Sequence, residues 1–374
     1  MIAVSRTDTS VVGRWWWTVD RWMLAAVAVL LAIGVVLTLA ASPATAQRIG
    51  LPPYHFVLRQ AIYLVPALAT MWMVSLLPPR HVRRLAVLAM LAALAMMFAT
   101  TVMGEEVKGA RRWLYVAGIS LQPSEFFKPA FAVVTGWLLA EWRREENPAP
   151  AIIVAALLAV AVVLLVRQPD IGMLVVVVAV WASQLFIAGL PMALVGALAG
   201  LGIGGLAAAY ALVPHVTSRI DRFLDPSGRD NYQIERSLEA FAAGGLFGRG
   251  PGEGSVKSSL PDAHTDFIFA VAGEEFGLWL CLAIIAVFAF IVVRGLARLL
   301  QENDLFVLYA AAGLFVQFGL QAAINIGVNL RLLPTKGMTL PFLSYGGSSL
   351  LALAFGMGML LALCRDRPDA EGRR

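Results

Sequence analysis

The sequence predicts an all-α protein whose helices cross a lipid bilayer about ten times. Of its 374 residues, 59% are hydrophobic and only 14% are charged, and the mean hydropathy is +0.77. A water-soluble core cannot hide so much apolar surface, so lipid is the expected solvent. Backbone groups find no water inside a bilayer, so the spans must be helices or closed barrels. The long Ala/Leu/Val runs lack period-two alternation and therefore select helices.

Ten apolar segments approach the roughly 20 residues that one bilayer crossing requires. They cover residues 22–42, 56–77, 85–103, 124–141, 150–166, 171–190, 193–213, 265–293, 305–327 and 341–364. We interpret residues 1–374 as one transmembrane domain, with an N-terminal segment at 1–21, a tail at 365–374 and a large extracytoplasmic loop at 214–264 before the eighth span. A loop of that length within a compact protein is usually functional or disordered.

The arginines indicate the orientation of these spans. They flank the apolar segments at Arg6, Arg14, Arg21, Arg80, Arg83, Arg84, Arg143, Arg144, Arg294, Arg298, Arg365, Arg367, Arg373 and Arg374. All lie on one side if both termini are cytoplasmic, as the positive-inside rule requires. The net charge of +5 therefore reflects topology, and we expect no nucleic-acid partner.

The first span ends in a small-x-small pattern, Ala44 to Ala46, that is typical of a signal-peptidase site. Its apolar region of about 20 residues exceeds the roughly 7 to 15 of a signal peptide. This length favours an uncleaved membrane anchor, and cleavage would leave the order of the later spans unchanged.

Residues 104–123 form a short outside segment that mixes cationic and aromatic side chains: Lys108, Arg111, Arg112, Trp113 and Tyr115. Such a mixture is suited to the headgroup level of a bilayer. We therefore expect this segment to lie at the membrane surface.

The glycine-rich stretch and the two cysteines could suggest a nucleotide or metal site, but their sequence context does not support one. The glycine-rich stretch 244–254 lacks the strand and helix start that a phosphate-binding loop needs, and Val256 stands where the P-loop pattern needs glycine. We interpret it as a flexible turn near the membrane surface. Cys281 and Cys364 have no partners at metal-ligand spacing and are interpreted as small core residues.

Asp266 is the first candidate for chemistry, because an apolar run follows it directly where the large loop enters the eighth span. Partial desolvation there would raise the pKa of its carboxyl and favour a proton-accepting role. The alternative is an aspartate that only starts a helix and satisfies its first amides. The local sequence leaves both interpretations open.

Further ionisable residues lie within predicted spans, where they are costly and tend to face a partner or a cavity. Glu274 and Glu275 lie about two turns into the eighth span, and Arg59 lies in the second. Glu125 and Lys128 have the i,i+3 spacing of an intrahelical ion pair. Substrate contact and an internal salt bridge are equally compatible with these positions.

Two short polar segments interrupt the apolar sequence. Residues 168–170 (Gln-Pro-Asp) separate the fifth and sixth spans, and we interpret them as a turn whose polar groups face an aqueous cleft. Residues 334–349 lead into the last span, where small side chains predict close helix packing.

Several motifs occur together in the order typical of one known family. They are Arg111-Arg112-Trp113, Gln122-Pro123-Ser124-Glu125 with Lys128, Gln168-Pro169-Asp170, Tyr232-Gln233, Gly244-Gly245-Leu246-Phe247-Gly248, and His264-Thr265-Asp266-Phe267-Ile268-Phe269-Ala270 with Glu274-Glu275. On these motifs the chain resembles the SEDS proteins (shape, elongation, division and sporulation) from about residue 56 to residue 364. Segments 325–329 and 333–341 are more similar to the division branch than to the elongation branch, although Arg331 stands where the family more often has a small residue.

The resemblance implies a peptidoglycan glycosyltransferase of the bacterial cytoplasmic membrane that joins lipid II units beside a class B penicillin-binding protein and other division proteins. It implies that Asp266 is the essential residue, acting as a general base. The candidate substrate-binding residues are Arg59, Arg111, Arg112, Trp113, Glu125, Lys128, Gln168, Asp170, His264, Thr265, Glu274, Glu275, Lys336 and Ser344. Lys128, Arg59 and Arg111 or Arg112 are the candidates for holding the pyrophosphate. We expect a divalent cation, Mg²⁺ or Mn²⁺, to share that charge, and no organic cofactor.

Three alternatives remain open at this point. One is a transporter that flips lipid II, since about ten spans with buried charges also describe transporters. Another is a non-catalytic scaffold for the penicillin-binding protein. Within the family, the elongation role is the alternative to the division role.

Overall fold

The computed structural model describes residues 10–107, 110–116, 119–145, 147–212, 217, 218, 221, 232–335 and 337–366. The helices are α1 (Val11–Thr18), α2 (Arg21–Arg48), α3 (His55–Ser75), α4 (Pro79–Met103), α5 (Pro123–Glu145), α6 (Ala149–Arg167), α7 (Ile171–Ile187), α8 (Met192–Leu212), α9 (Tyr232–Gly244), α10 (Ile268–Leu299), α11 (Leu305–Asn329) and α12 (Gly347–Leu363). Each of the ten predicted spans corresponds to one of α2–α8 and α10–α12. The mainly helical, multi-span prediction is confirmed.

Length and hydropathy identify the spans within the described chain. Helices α2, α3, α4, α6, α8, α10 and α11 are long and apolar enough to cross a membrane, and α7 and α12 are apolar helices of 17 residues. Apolar side chains such as Leu58, Ile62 and Val65 of α3 are at least 65% exposed in the isolated chain. Side chains of this kind need a lipid environment.

Helix α5 is the centre of the bundle. It packs against α4, α6, α7, α11 and α12, and most of its side chains from Pro123 to Ala140 are buried. Because protein rather than lipid surrounds it, α5 can carry Glu125 and Lys128, which would be costly on a lipid-facing helix.

A cluster of ion pairs lies at one end of the bundle. At the end that carries α1 and the start of α2, Asp20 pairs with Arg294 at 3.0 Å and with Arg298 at 2.6 Å, and Arg298 also contacts Asp366 at 2.5 Å. Burial alone would raise the pKa of Asp20, but hydrogen bonds from Arg298, the Met23 amide and Arg294 hold it below its ordinary value. We call this the basic end, and we call the opposite end, which carries the start of α10, the Asp266 end.

The segment between α4 and α5 is a small antiparallel sheet, which the sequence did not predict. Strands β1 (Glu105–Val107), β2 (Ala110–Val116) and β3 (Ile119–Leu121) pair in the order β1-β2-β3. The segment predicted to lie at the membrane surface is therefore a folded hairpin, which contacts the ends of α4, α5 and α12.

The predicted large loop contains helix α9, and the glycine-rich turn after α9 packs into a break in α10. At Gly277, φ is 77°, a conformation that favours glycine. The break leaves the Glu274 carbonyl to accept from the Arg249 amide at 2.9 Å, while the Leu278 amide donates to the Gly245 carbonyl at 3.0 Å. The turn thus replaces helical hydrogen bonds that the break removes. The sequence predicted neither α9 nor this break.

Candidate functional site

Asp266 lies in the last turn before α10 and is partly buried. The N-cap position of α10 is Phe267, which makes no side-chain cap hydrogen bond, and Asp266 lies one residue before it. Its carboxylate lies beside Gly337, where an added Cβ would be 3.3 Å from Oδ2.

Side chains of helix α11 contact the main chain of Asp266. The Asn325 and Asn329 side-chain amides both donate to the Asp266 carbonyl oxygen, each at 2.9 Å. Sequence reasoning used these asparagines only to distinguish family branches. Their i,i+4 spacing in an apolar helix is the signal that could have identified them as contacts of the site.

An aromatic cluster surrounds His264, two residues before Asp266. The His264 ring packs on Phe56 with ring centroids 4.0 Å apart and lies 5.4 Å from the ring of Tyr345. Burial lowers the pKa of His264 to about 4, so the ring is neutral at pH 7. His264 is thus suited to stacking or hydrogen bonding and not to holding a phosphate by charge.

Arg59 lies in the first turns of α3, within the predicted second span, and its side chain is exposed. Burial raises the pKa of Tyr345 above its ordinary value, and a hydrogen bond from Arg59 partly opposes that effect. The Tyr345 amide in turn donates to the His264 carbonyl at 2.9 Å. These contacts bring Arg59 next to the Asp266 segment.

Thr265 and Ser344 join the Asp266 segment to the loop before α12. The Ser344 hydroxyl donates to the Thr265 carbonyl at 2.5 Å and accepts from the Leu340 amide at 2.8 Å. The Thr265 hydroxyl donates to the Asp262 carbonyl at 3.2 Å. Both candidate residues therefore contact protein groups that set the shape of the site.

Glu125 and Lys128 form the predicted i,i+3 ion pair, with Lys128 Nζ 2.9 Å from Glu125 Oε2. Lys128 Nζ also donates to Gln321 Oε1 of α11 at 2.8 Å, and Gln321 Nε2 donates to the Thr339 carbonyl at 3.1 Å. Only 2% of the Lys128 side chain is exposed, so the structure favours the internal salt bridge over direct substrate contact.

Arg112 binds the turn that follows α6. Its guanidinium donates to the Gln168 carbonyl at 3.0 Å and to the Pro169 carbonyl, and lies 3.9 Å from Asp170 Oδ2. Gln168 and Asp170 are buried, so the prediction that they face an aqueous cleft is wrong. The reason is that Gln168 donates to the carbonyl of Met97, and Asp170 caps α7.

The other two candidates in strand β2 are Arg111 and Trp113. Arg111 is exposed and lies 3.7 Å from Glu106. Trp113 is half-buried and pairs across the sheet with Glu105. Arg111 is therefore accessible to a charged ligand, whereas Arg112 is occupied by the turn.

Glu274 and Glu275 hold the glycine-rich turn against α10. Glu274 is fully buried, and its two oxygens accept from the Val256 amide at 2.6 Å and the Lys257 amide at 2.8 Å. Glu275 forms a buried ion pair with Lys257 and accepts from the Gly252 amide at 3.1 Å. The turn predicted to be flexible is thus fixed, and both carboxylates are bonded within the protein.

The structure brings together at one end of the bundle Asp266, His264, Thr265, Ser344 and Arg59. The candidate Lys336 lies outside the described residues. Among the described residues, no three His, Cys, Asp or Glu side chains converge as a metal site would require. The groups available at this end are the Asp266 carboxylate, the neutral His264 imidazole and the exposed Arg59 guanidinium.

Comparison with known proteins places this site in a family. Residues 21–368 match the family model FTSW_RODA_SPOVE, described as a cell cycle protein. The chain is 49% identical to the probable peptidoglycan glycosyltransferase FtsW of Caulobacter vibrioides, covering 99% of this chain and 95% of that protein. It is 36% identical to the protein of the same name from Legionella pneumophila, covering 87% and 86%.

Solved structures have the same fold. A chain from work titled "Structural coordination of polymerization and crosslinking by a peptidoglycan synthase complex" superposes with a TM-score of 0.76 at 27% identity, covering 92% of this chain and 97% of that one. The rod shape determining protein RodA of Thermus thermophilus superposes with a TM-score of 0.70 at 26% identity, covering 93% and 97%.

Proposed function

The chain belongs to the FtsW/RodA/SpoVE family of cell cycle proteins, and from that premise we propose that it is a peptidoglycan glycosyltransferase that polymerises lipid II during cell division. The similarity to FtsW over nearly the whole chain supports the division role over the elongation role. The observation that carries the chemistry is the Asp266 carboxylate at one end of a membrane-spanning bundle, on a residue whose main-chain carbonyl accepts from two side-chain amides of α11.

In the proposed reaction, the 4-hydroxyl of an acceptor sugar attacks the anomeric carbon of a donor glycan on undecaprenyl pyrophosphate. Asp266 accepts the hydroxyl proton as the new glycosidic bond forms, and the pyrophosphate leaves with the bonding electrons. General base assistance of this kind typically contributes a factor of about 10² to 10⁴ in rate.

The leaving pyrophosphate needs cations more than an acid, because its charge accumulates on oxygen. Arg59 and Arg111 are the exposed guanidiniums among the candidates, whereas Lys128 and Arg112 are occupied by protein groups. A Mg²⁺ or Mn²⁺ ion would have to rely mainly on substrate phosphate oxygens, since the described residues offer no three-ligand cluster. Mg²⁺ is commonly bound in this way.

The distribution of buried charge supports a polymerase over a lipid II transporter. Glu125, Lys128, Glu274 and Glu275 all lie in the halves of their helices nearest the Asp266 end. Deeper buried polar side chains such as Gln184 and Gln317 are neutral amides. A transporter would be expected to carry charged or strongly polar groups across the bilayer midplane.

The proposed setting is the bacterial cytoplasmic membrane, with both termini cytoplasmic and the Asp266 end outside. The arginines at the basic end support this orientation through the positive-inside rule. The proposed partners are lipid II, a class B penicillin-binding protein and other division proteins. The similarity to a chain of a peptidoglycan synthase complex supports the penicillin-binding protein as a partner.

The test is polymerisation of purified lipid II by the detergent-solubilised protein with its cognate penicillin-binding protein, with and without EDTA. Wild type and the control Asp262→Asn should form glycan strands, whereas Asp266→Asn should form none at equal folded yield. Asp262 is a matched control, because it lies in the same turn with φ of 54°, which asparagine tolerates. Strands from Asp266→Asn would remove the base from the mechanism, and none from wild type would favour the transporter or scaffold alternatives.

A further inference from the structure

Helix α11 carries four amide side chains on one face. Gln317, Gln321, Asn325 and Asn329 recur at every fourth position, and residues four apart lie above one another on a helix. All four are buried in a helix that is otherwise mostly apolar. Buried amides are costly unless their hydrogen bonds are made, so the partners of each one indicate what it does.

The two amides nearest the Asp266 end share one partner. Asn325 and Asn329 both donate to the Asp266 carbonyl oxygen, which has two lone pairs and accepts both bonds. Asn329 Oδ1 also accepts from the Ala270 amide at 3.2 Å, in the first turn of α10. The peptide group that follows Asp266 is thus fixed from two directions by a single helix.

Asn325 also fixes the chain opposite the carboxylate. Its Nδ2 donates to the Met338 carbonyl at 2.6 Å. Met338 follows Gly337, whose missing side chain leaves room for Asp266 Oδ2. The same amide therefore holds the main chain that carries the carboxylate and the main chain that faces it.

We propose that Asn325 and Asn329 are positioning residues that set the place and direction of the Asp266 carboxylate by holding its main-chain carbonyl, an inference that rests on the proposed function. They touch neither the substrate nor the carboxylate through these bonds. They act on turnover because a displacement of about 1 Å in a catalytic group can reduce the rate about 100-fold.

Gln317 provides a matched control on the same face of α11. It lies two turns further from Asp266 than Asn325 and lines a cavity of about 20 Å³ between α11 and α12. Its Oε1 is buried and accepts no hydrogen bond from any described residue. Replacing Gln317 by leucine removes a buried amide from α11 without changing a bond to Asp266.

The experiment compares Asn325→Leu, Asn329→Leu, the double variant and Gln317→Leu as purified protein with its cognate penicillin-binding protein. Turnover and KM for lipid II are measured separately, and thermal midpoints are measured on the same samples. We expect kcat to fall about 3- to 10-fold in each single variant, the range of one lost net hydrogen bond. In the double variant we expect kcat to fall by more than the product of the two single-variant fold-losses, because the Asp266 carbonyl then has neither of these two donors. KM should stay unchanged, and Gln317→Leu should retain wild-type kcat.

A further variant separates positioning from folding. Asn329→Asp keeps an oxygen for the Ala270 amide but loses the donor to the Asp266 carbonyl. If Asn329→Leu does not fold, Asn329→Asp takes its place, and its kcat should be lower than that of wild type. If wild type polymerises lipid II and the double variant retains a kcat within about twofold of Gln317→Leu, the positioning role is wrong, even if its thermal midpoint falls. If wild type forms no strands, the proposed function fails first and the inference fails with it.

Discussion

Replacing Glu274 should destabilise the protein without directly affecting substrate binding. Its carboxylate is fully buried and accepts from two backbone amides, those of Val256 and Lys257. Through these bonds it fixes the end of the glycine-rich turn that fills the break in α10. The prediction separates this structural role from the substrate contact that the sequence also allowed.

The expected magnitude follows from the two hydrogen bonds. A bond to a charged group contributes about 1.5–3 kcal/mol, and a buried amide left without an acceptor costs about 1–3 kcal/mol. Glu274→Gln keeps one oxygen as an acceptor but turns its NH₂ group toward one of the two backbone amides. We therefore expect the free energy of unfolding to fall by about 2–4 kcal/mol. Glu274→Leu leaves both amides without their acceptor and should cost about 3–6 kcal/mol.

Tryptophan fluorescence during thermal unfolding in detergent measures this loss, together with the rate of proteolysis within residues 245–260. Glu253→Gln is the matched control, because Glu253 lies in the same turn and is exposed. We expect Glu274→Gln to unfold several degrees below that control and to be cleaved faster. Equal midpoints combined with a raised KM for lipid II would show that Glu274 contacts the substrate and would refute the structural role.

Two further predictions concern the Asp266 end. Arg112→Ala should lower the free energy of unfolding by about 1–3 kcal/mol, because the Arg112 guanidinium binds the carbonyls of the turn after α6. Arg111→Ala should change it by less than about 0.5 kcal/mol, since Arg111 is exposed. Thermal midpoints of the two variants test this difference, and equal losses would contradict it. His264 has a folded-state pKa of about 4 against 6.5 in the unfolded chain, so the unfolded state binds more protons between these values and stability should fall as pH decreases from about 6.5 to 4. The loss should be about 2 kcal/mol at pH 5 relative to pH 8. His264→Phe should abolish this part of the pH dependence, and unchanged pH dependence in that variant would contradict the assignment.

The spans could be predicted from the sequence because hydrophobic length is a local property. The segment predicted at 305–327 is α11 at Leu305–Asn329, and the segment at 150–166 is α6 at Ala149–Arg167. The strands of residues 105–121 were missed because they are three to seven residues long and gave no alternation strong enough to detect. The break at Gly277 was missed because a single glycine within an apolar run does not reveal which distant segment replaces its hydrogen bonds.

The candidate site was predictable in its residues but not in their partners. Sequence reasoning identified Arg112 as a candidate for pyrophosphate and Glu274 as a candidate for substrate, yet both bond to protein groups at long or medium separation along the chain. A charged residue within an apolar sequence indicates that a partner exists. Whether that partner is a ligand or a backbone group depends on packing, which the sequence does not contain.

The mode of attachment of Asp266 bears on its proposed chemistry. A base must take up and release a proton in each turnover, and direct hydrogen bonds to its charged oxygens would lower its pKa and weaken it as a base. Asn325 and Asn329 instead donate to the main-chain carbonyl, which does not itself gain or lose the proton. These two amides therefore fix the position of Asp266 through its backbone and do not lower the basicity of its carboxylate by donating to the carboxylate oxygens.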